Sequence, residues 1–444
     1  MADRENKNPG LKDGAGKSRE RAAEKKDWFR LDNAATVFPG QNSEEWSNVF
    51  RLSVELRENI DPDTLTRALK NILPRFPAFD VRIRKGFFWY YFEKNPNGAP
   101  RVMPDINNPC HRVKFKENRG YLFRVYYHAR RISIDMFHSL ADGHGGAVFI
   151  LSLAAEYLRL TGTEISYNEF VLNPGEKPKE SELEDSFRKH ADSPAKMKLK
   201  TEKCYHSGGI RLPKHNVNIT SGIIDYGEFD RLIKPLGVTA TEYLTALLLD
   251  IHLRKQAAES ARQRNVCVQI PIDLRRRFLS DTLRNFTICL RVVIDPNLGE
   301  YSFEELLSQA HHQIALASDK KILNAMITAY LRTEQNPFLK LTPLFIKDFG
   351  MNIGFSFTAE QSTTALLTNL GAVSLPEDMK PHVEKLMFMP SPGLRNASRI
   401  GVATVNGKMV ITFSDSFAGT SVEREFFTRL VRSGLHVKIE SNRY

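Results

Sequence analysis

The stretch Phe137-His138-Ser139-Leu140-Ala141-Asp142-Gly143 holds an imidazole, an acid four positions later and then a glycine. Imidazole titrates near neutral pH, so His138 can take the proton of a hydroxyl while its oxygen attacks a carbonyl. A base placed for that step is worth about 100- to 10,000-fold in rate, or roughly 3–5 kcal/mol. The rest of such a barrier falls by holding two substrates together and by stabilising an oxyanion. Gly143 would let backbone approach a ligand closely. Spacing alone does not decide, because a histidine packed at a strand end beside a capping aspartate has the same pattern.

The flanking sequence weighs toward chemistry. Ile132, Ile134 and Met136 alternate with Ser133, Asp135 and Phe137, the two-residue period of a half-buried strand. Such a strand delivers His138 to its C-terminal end. A glycine-rich turn follows, then an apolar helix from about residue 147 to 160. Upstream, Asp61 and Pro62 read as the N-cap and first residue of a helix that stops by Pro74. Further strands are expected over 86–92, 121–128, 217–226, 266–270, 287–294, 365–370, 383–389, 400–405 and 409–413. Asn406-Gly407 between the last two is a strong hairpin signal. Helices are expected over 228–255, broken near Gly237 with Thr239 or Thr241 as the new cap, and over 302–318 and 422–432.

These elements divide the chain. Residues 1–26 are polar and hold eight Lys or Arg against five Asp or Glu, which reads as a disordered tail. Residues 27–173 form a first unit carrying the motif. Residues 174–215, with Pro174, Pro178, Pro194 and Pro213 among many Lys and Glu, read as a crossover linker. Residues 216–444 form a second unit. Each unit mixes helices and strands, so the fold class is α+β in two lobes.

Composition narrows the function. The formal net charge of +11 is spread through the 444 residues, which implies no nucleic-acid stripe but suits a phosphate-bearing small molecule. Cys110, Cys204, Cys267 and Cys289 form no CxxC pair, so buried thiols in a reducing cytoplasm are expected. Metal binding is not expected: His138, Asp142 and His144 would make a cramped site with no obvious fourth ligand. No run of about 18 apolar residues marks a transmembrane helix, and no apolar core behind the N-terminal charges marks a signal peptide. Peripheral membrane contact stays open. No Gly-x-Ser-x-Gly elbow, P-loop or GxGxxG occurs, so a covalent acyl-enzyme is disfavoured.

The motif resembles the HxxxDG signature of the CoA-dependent acyltransferase superfamily. That group includes chloramphenicol acetyltransferase, plant BAHD enzymes, nonribosomal condensation domains and alcohol O-acetyltransferases. Leu73-Pro-Arg-Phe-Pro-Ala-Phe, Gly237-Val-Thr-Ala-Thr-Glu-Tyr-Leu, Pro271-Ile-Asp-Leu-Arg-Arg-Arg-Phe with Leu283-Arg-Asn-Phe, and Thr368-Asn-Leu-Gly resemble other segments of the same plan, in order. The likeness spans most of residues 30–430 and is closest to the alcohol O-acetyltransferase branch. It implies two chloramphenicol-acetyltransferase-like lobes, each a mixed β-sheet covered by helices, with an active-site tunnel at their interface. It further implies His138 as the base and Asp142 paired with Arg275 to hold the loop. Gly143, Asn285, Thr368 and Asn369 are the candidate substrate-binding residues.

The partners implied are acyl-CoA, as a co-substrate and not a tightly bound cofactor, and a small-molecule alcohol. The acyl group could be acetyl. Acyl transfer from a carrier protein or to an amine stays open, as do a non-catalytic binding relative and the oligomeric state. Two departures matter. Phe137 stands where condensation domains usually carry a first histidine, and the plant DFGWG signature is absent, with only Asp348-Phe-Gly in its neighbourhood.

Overall fold

The computed structural model describes residues 28–43, 46–195, 197, 202–259, 262–357, 360–393 and 398–443. The expected tail over 1–26 lies outside them. Two mixed sheets organise the molecule. The first runs in the order Val383–Met389, Val49–Leu56, Arg131–Phe137, Phe123–His128, Val102–Pro104. The second runs Thr287–Ile294, Val266–Asp273, Ala365–Ala372, Ser398–Val405, Lys408–Asp415, Asn218–Asp225, Lys438–Ser441. A small sheet of Trp28–Arg30, Tyr90–Lys94 and Val81–Lys85 stands beside them. Parallel pairing of Ala365–Ala372 with both its neighbours, in an otherwise antiparallel sheet, makes the second sheet mixed. The expected α+β architecture is therefore present.

One strand departs from the expected division. Val383–Met389 belongs by sequence to the second unit, yet it pairs antiparallel with Val49–Leu56 at the edge of the first sheet. Residues 216–444 thus do not build one lobe alone. The exchange stitches the two halves: the first apolar core takes in Leu283, Val373, Leu386, Phe388 and Val405 from the C-terminal half. The linker is also more ordered than its composition suggested. It carries the short helices Glu180–Leu183 and Ser186–His190, and Glu182 takes a two-pronged hydrogen bond from Arg75 (2.5 and 2.7 Å), with both side chains buried.

Local signals act as their chemistry requires. Asp61 accepts from the Thr64 backbone N–H at the start of Pro62–Ile72. Thr239 and Glu242 exchange hydrogen bonds at the start of Ala240–Glu259, so Thr239 and not Thr241 is the cap. Asn406 and Gly407 both take positive φ (48° and 71°), as a type I′ hairpin turn demands. The expected strand over 86–92 is displaced: the strand is Tyr90–Lys94, and Phe87-Phe88 sit in the turn before it.

The helix after the motif, Gly143–Leu160, is apolar on nearly every side and buried along most of its length. It packs on Pro62–Ile72 and on the inner strands Val49–Leu56 and Arg131–Phe137. A helix buried all round can hold what precedes it only if its start is rigid, and that start is the motif.

Candidate active site

The strand Arg131–Phe137 ends beside the first residues of Val49–Leu56, and the His138 backbone N–H donates to the Asn48 carbonyl at 2.9 Å. The ring turns toward the face that carries the buried helix. Phe38 stacks on it (centroids 4.7 Å apart, 27° between planes), and Phe50 meets it edge-on at 5.3 Å. Phe388, from the exchanged strand, packs edge-on against Phe50. The ring is half-buried among groups from both halves of the chain.

Its tautomer follows from its neighbours. His138 Nδ1 lies 3.0 Å from Asn285 Oδ1. The Asn285 amide nitrogen already donates to the His138 carbonyl (3.0 Å) and to Asp32 Oδ2 (3.3 Å), both acceptors. Asn285 can therefore offer only its oxygen, so Nδ1 carries the proton and the lone pair falls on Nε2. Burial pushes the ring below its ordinary value of 6.5, against the opposing pull of Asp142 and Asn285. A neutral ring with Nε2 as acceptor is the state a base needs.

Asp32 was not expected from sequence. It is fully buried, and burial raises its carboxyl to about 6 against the pull of Arg284, whose Nε lies 3.6 Å away. Ala35 N–H donates to its other oxygen at 2.7 Å. The chain Asp32, Asn285, His138 spans more than 250 residues, so nothing in local sequence announces it.

Asp142 turns away from the ring. It caps Gly143–Leu160 by accepting from the Gly145 N–H (3.2 Å), and it accepts from the Phe286 N–H (2.8 Å). Arg275 reaches it with Nη1 and Nη2, each at 3.0 Å. Arg275's remaining donors go to the carbonyls of Thr282 (2.7 Å) and Arg284 (2.6 Å) and to Asp273 (2.8 Å). All five guanidinium donors are used. Burial alone would raise the Asp142 carboxyl, but Arg275 and the backbone donors hold it below 3.8. Arg276 and Arg277 are exposed.

Gly143 is required for a different reason from the one expected, and Gly145 is constrained by packing as well. A Cβ on Gly143 would meet Leu370 Cδ2 at 2.8 Å and Phe388 Cζ at 3.1 Å. That space is filled by side chains of the C-terminal half, not kept open. A Cβ on Gly145 would stand 2.1 Å from the Leu283 carbonyl oxygen, which is backbone and cannot swing aside. Gly145→Ala is accordingly expected to force the helix off the Leu283–Phe286 segment and to cost about 1–3 kcal/mol. Chemical denaturation reads that loss, and an unchanged midpoint would contradict the contact.

Of the expected site residues, the structure brings His138, Asp142, Gly143, Arg275 and Asn285 together. Asn369 is held by Nδ2 donating to Thr241 Oγ1 at 3.1 Å and by Oδ1 accepting from Gly371 N–H, with no hydrogen bond to His138. Thr368 is half-buried and paired with Gly401 in the neighbouring strand. Leu370, two residues on, is the member of that strand whose side chain reaches Gly143. A cleft of about 210 Å³ opens between Ser47 and 109–112 on one side and 211–217, Ser391 and Ser416 on the other. Ser47 adjoins Asn48, which holds the His138 backbone.

No protein-family model and no curated protein matches the sequence. Solved structures do. Fusarium sporotrichioides TRI101 complexed with coenzyme A and T-2 aligns over 93% of this chain and 99% of that one, with a TM-score of 0.62 and 10% identity. The chain has the fold of the CoA-dependent acyltransferases. The trichothecene 15-O-acetyltransferase TRI3 of the same organism covers 91% of this chain and 94% of its own (TM-score 0.53, 12% identity). Polyketide synthase associated protein 5 of Mycobacterium tuberculosis covers 90% and 96% (TM-score 0.55, 15% identity). The epimerization domain of tyrocidine synthetase B has the same architecture (TM-score 0.53, 13% identity). The likeness drawn from the sequence thus holds at the level of the fold. Within this acyltransferase fold, His138 occupies the junction that the exchanged strand creates.

Proposed function

We propose that the protein is an O-acyltransferase that moves an acyl group, in the simplest case acetyl, from CoA to an alcohol in a ternary complex. The observation that carries this is the ring of His138: half-buried where the two halves meet, neutral, and fixed by Asn285 with its lone pair on Nε2. The hydroxyl proton passes to Nε2 as the alcohol oxygen attacks the thioester carbonyl. The tetrahedral intermediate collapses, the C–S bond breaks, and the proton returns from Nε2 to the leaving thiolate. Asp142 and Arg275 position the loop and touch no substrate. The trichothecene acetyltransferase among the structures of this fold, and those holding coenzyme A, support the donor and the reaction class. His111, Arg112, Arg211, Lys214 and His215 line the cleft beside Ser47 and suit the donor's phosphates.

In this reading residues 27–173 together with the strand Val383–Met389 supply one lobe, the rest of 216–444 supplies the other, 174–215 crosses between them, and the enzyme works in a reducing compartment. The test is free thiol released from acetyl-CoA and longer acyl-CoA thioesters with a panel of alcohols and amines. Alcohol-dependent release supports the reading. Release only with amines, or none with any acceptor, contradicts it.

The ring's shifted titration gives a second expectation. The competent form is neutral imidazole, and burial keeps it neutral to lower pH than a free histidine. The kcat/KM profile should stay level from neutral pH down past 6.5 and fall only below that value, as Nε2 protonates. An acid limb centred above 6.5 would mean another group controls the rate.

A further inference from the structure

The helices Pro337–Leu341 and Leu344–Phe357 put large apolar side chains into solvent. Phe338 is 86% exposed, Leu341 73%, Phe345 66% and Phe349 71%. The turn Phe87-Phe88, from the other half of the chain, joins them: Phe87 is 71% exposed, and its carbonyl accepts from the Leu344 N–H at 2.9 Å. Lys347 Nζ donates to the Phe88 carbonyl, and Asp348 binds both Lys85 and Tyr90. The hairpin and the helices are thus one fixed promontory with aromatic rings on its outer side. Scattered exposed apolar residues are ordinary, but several large ones on two successive helices joined by hydrogen bonds to an exposed aromatic turn mark a contact surface.

The charges beside the patch select among partners. Lys340 on the short helix is exposed at its margin; on the hairpin the exposed Arg84 shares Glu93 with Arg82, which leaves one positive charge over, and Lys85 is paired with Asp348, on a chain of net charge +11. Phenylalanine and leucine on one side with basic residues at the edge is the composition of a surface that sits in the headgroup layer of an anionic bilayer. No single helix among the described residues is long and apolar enough to cross a membrane, so the contact is peripheral.

We infer that this face docks on an anionic lipid bilayer. Its position relative to the site gives the docking a use. Leu344–Phe357 packs on the short helix Phe38–Gln41, and Phe38 is the ring stacked on His138. Resting on the catalytic reading above, the docked face would let an alcohol dissolved in the bilayer reach Nε2 beside Phe38.

The experiment is sedimentation of the full chain with phosphatidylcholine vesicles, with and without phosphatidylserine. Binding that rises with phosphatidylserine and falls with salt is expected. The triple variant Phe338→Ser, Phe345→Ser, Phe349→Ser should lower the bound fraction at least about ten-fold, because it removes three rings that would enter the headgroup layer, while the exposed positions leave the wild-type melting temperature unchanged. Lys340→Glu should weaken binding to the anionic vesicles only. Wild-type protein that stays in the supernatant, or a triple variant that binds as well as wild type, overturns the inference. So does a result in which the triple substitution abolishes self-association in analytical ultracentrifugation while vesicles bind neither form. Turnover of a short water-soluble alcohol by the triple variant separates the two readings: it should persist, and its absence from wild type as well would count against the catalytic proposal alone.

Discussion

His138→Ala is expected to lower alcohol-dependent thiol release by about 100- to 10,000-fold while leaving the fold in place. The ring sits at a strand end, and its backbone bond to Asn48 does not need the side chain. In the proposed mechanism the substitution removes the atom that accepts the hydroxyl proton, Nε2, whose lone pair is left available by the Nδ1 contact with Asn285. Because proton transfer occurs in the transition state, kcat and kcat/KM should fall together, with little change in the binding of CoA. The hole left between Phe38 and Phe50 would cost some stability, so circular dichroism and a melting curve belong beside the kinetics. Turnover that survived at the wild-type rate in a folded variant would remove His138 from the mechanism.

The second large effect concerns Arg275. Replacing it with alanine should cost about 3–5 kcal/mol, since Asp142 would keep a buried charge with two backbone N–H donors and no cation beside it. The loss reaches the chemistry through structure. Without the guanidinium, the cap of Gly143–Leu160, the carbonyls of Thr282 and Arg284, and Asp273 lose their common donor. Asn285 lies between Arg284 and Phe286, so the group that fixes the His138 tautomer moves with them. Asp142→Asn should lower activity by the same route, because an amide cannot accept from every donor now aimed at it. The pH sign is fixed. Arg275 keeps the folded Asp142 carboxyl below its ordinary 3.8, so the pair's contribution is complete above that value and is lost as pH falls through the folded one. Denaturant melts of wild type and Arg275→Ala should therefore converge in acid. A variant with wild-type stability at neutral pH would show that the pair contributes nothing.

How far this was legible in the sequence depends on the distance over which each signal acts. The alternation from Ile132 to Phe137, the cap at Asp61 and the Asn406-Gly407 turn are local, and local sequence announces them. Arg275 was singled out only through resemblance. Three arginines in a row look alike, and only the short helix Arg275–Phe278 decides that the first turns inward while the next two face water. Asn369 shows the opposite case. It is a polar residue on the strand that approaches Gly143, but its side chain meets Thr241 on the neighbouring helix. The partner of Val383–Met389 lies more than 300 residues upstream, and the Asp32 contact with Asn285 spans 253 residues. No periodicity carries such pairings. The run 338–349 carries no expectation: apolar residues in a sequence suggest interior, and here Phe338, Leu341, Phe345 and Phe349 stand outside.

The central claim is the position of one nitrogen, and a crystal of the protein holding CoA and an unreactive alcohol analogue tests it most directly. The acceptor oxygen should lie within about 3 Å of His138 Nε2, with the CoA sulfur beside it, both between the two halves of the chain. CoA bound away from that junction, or Nε2 closed off by protein in the complex, would contradict it.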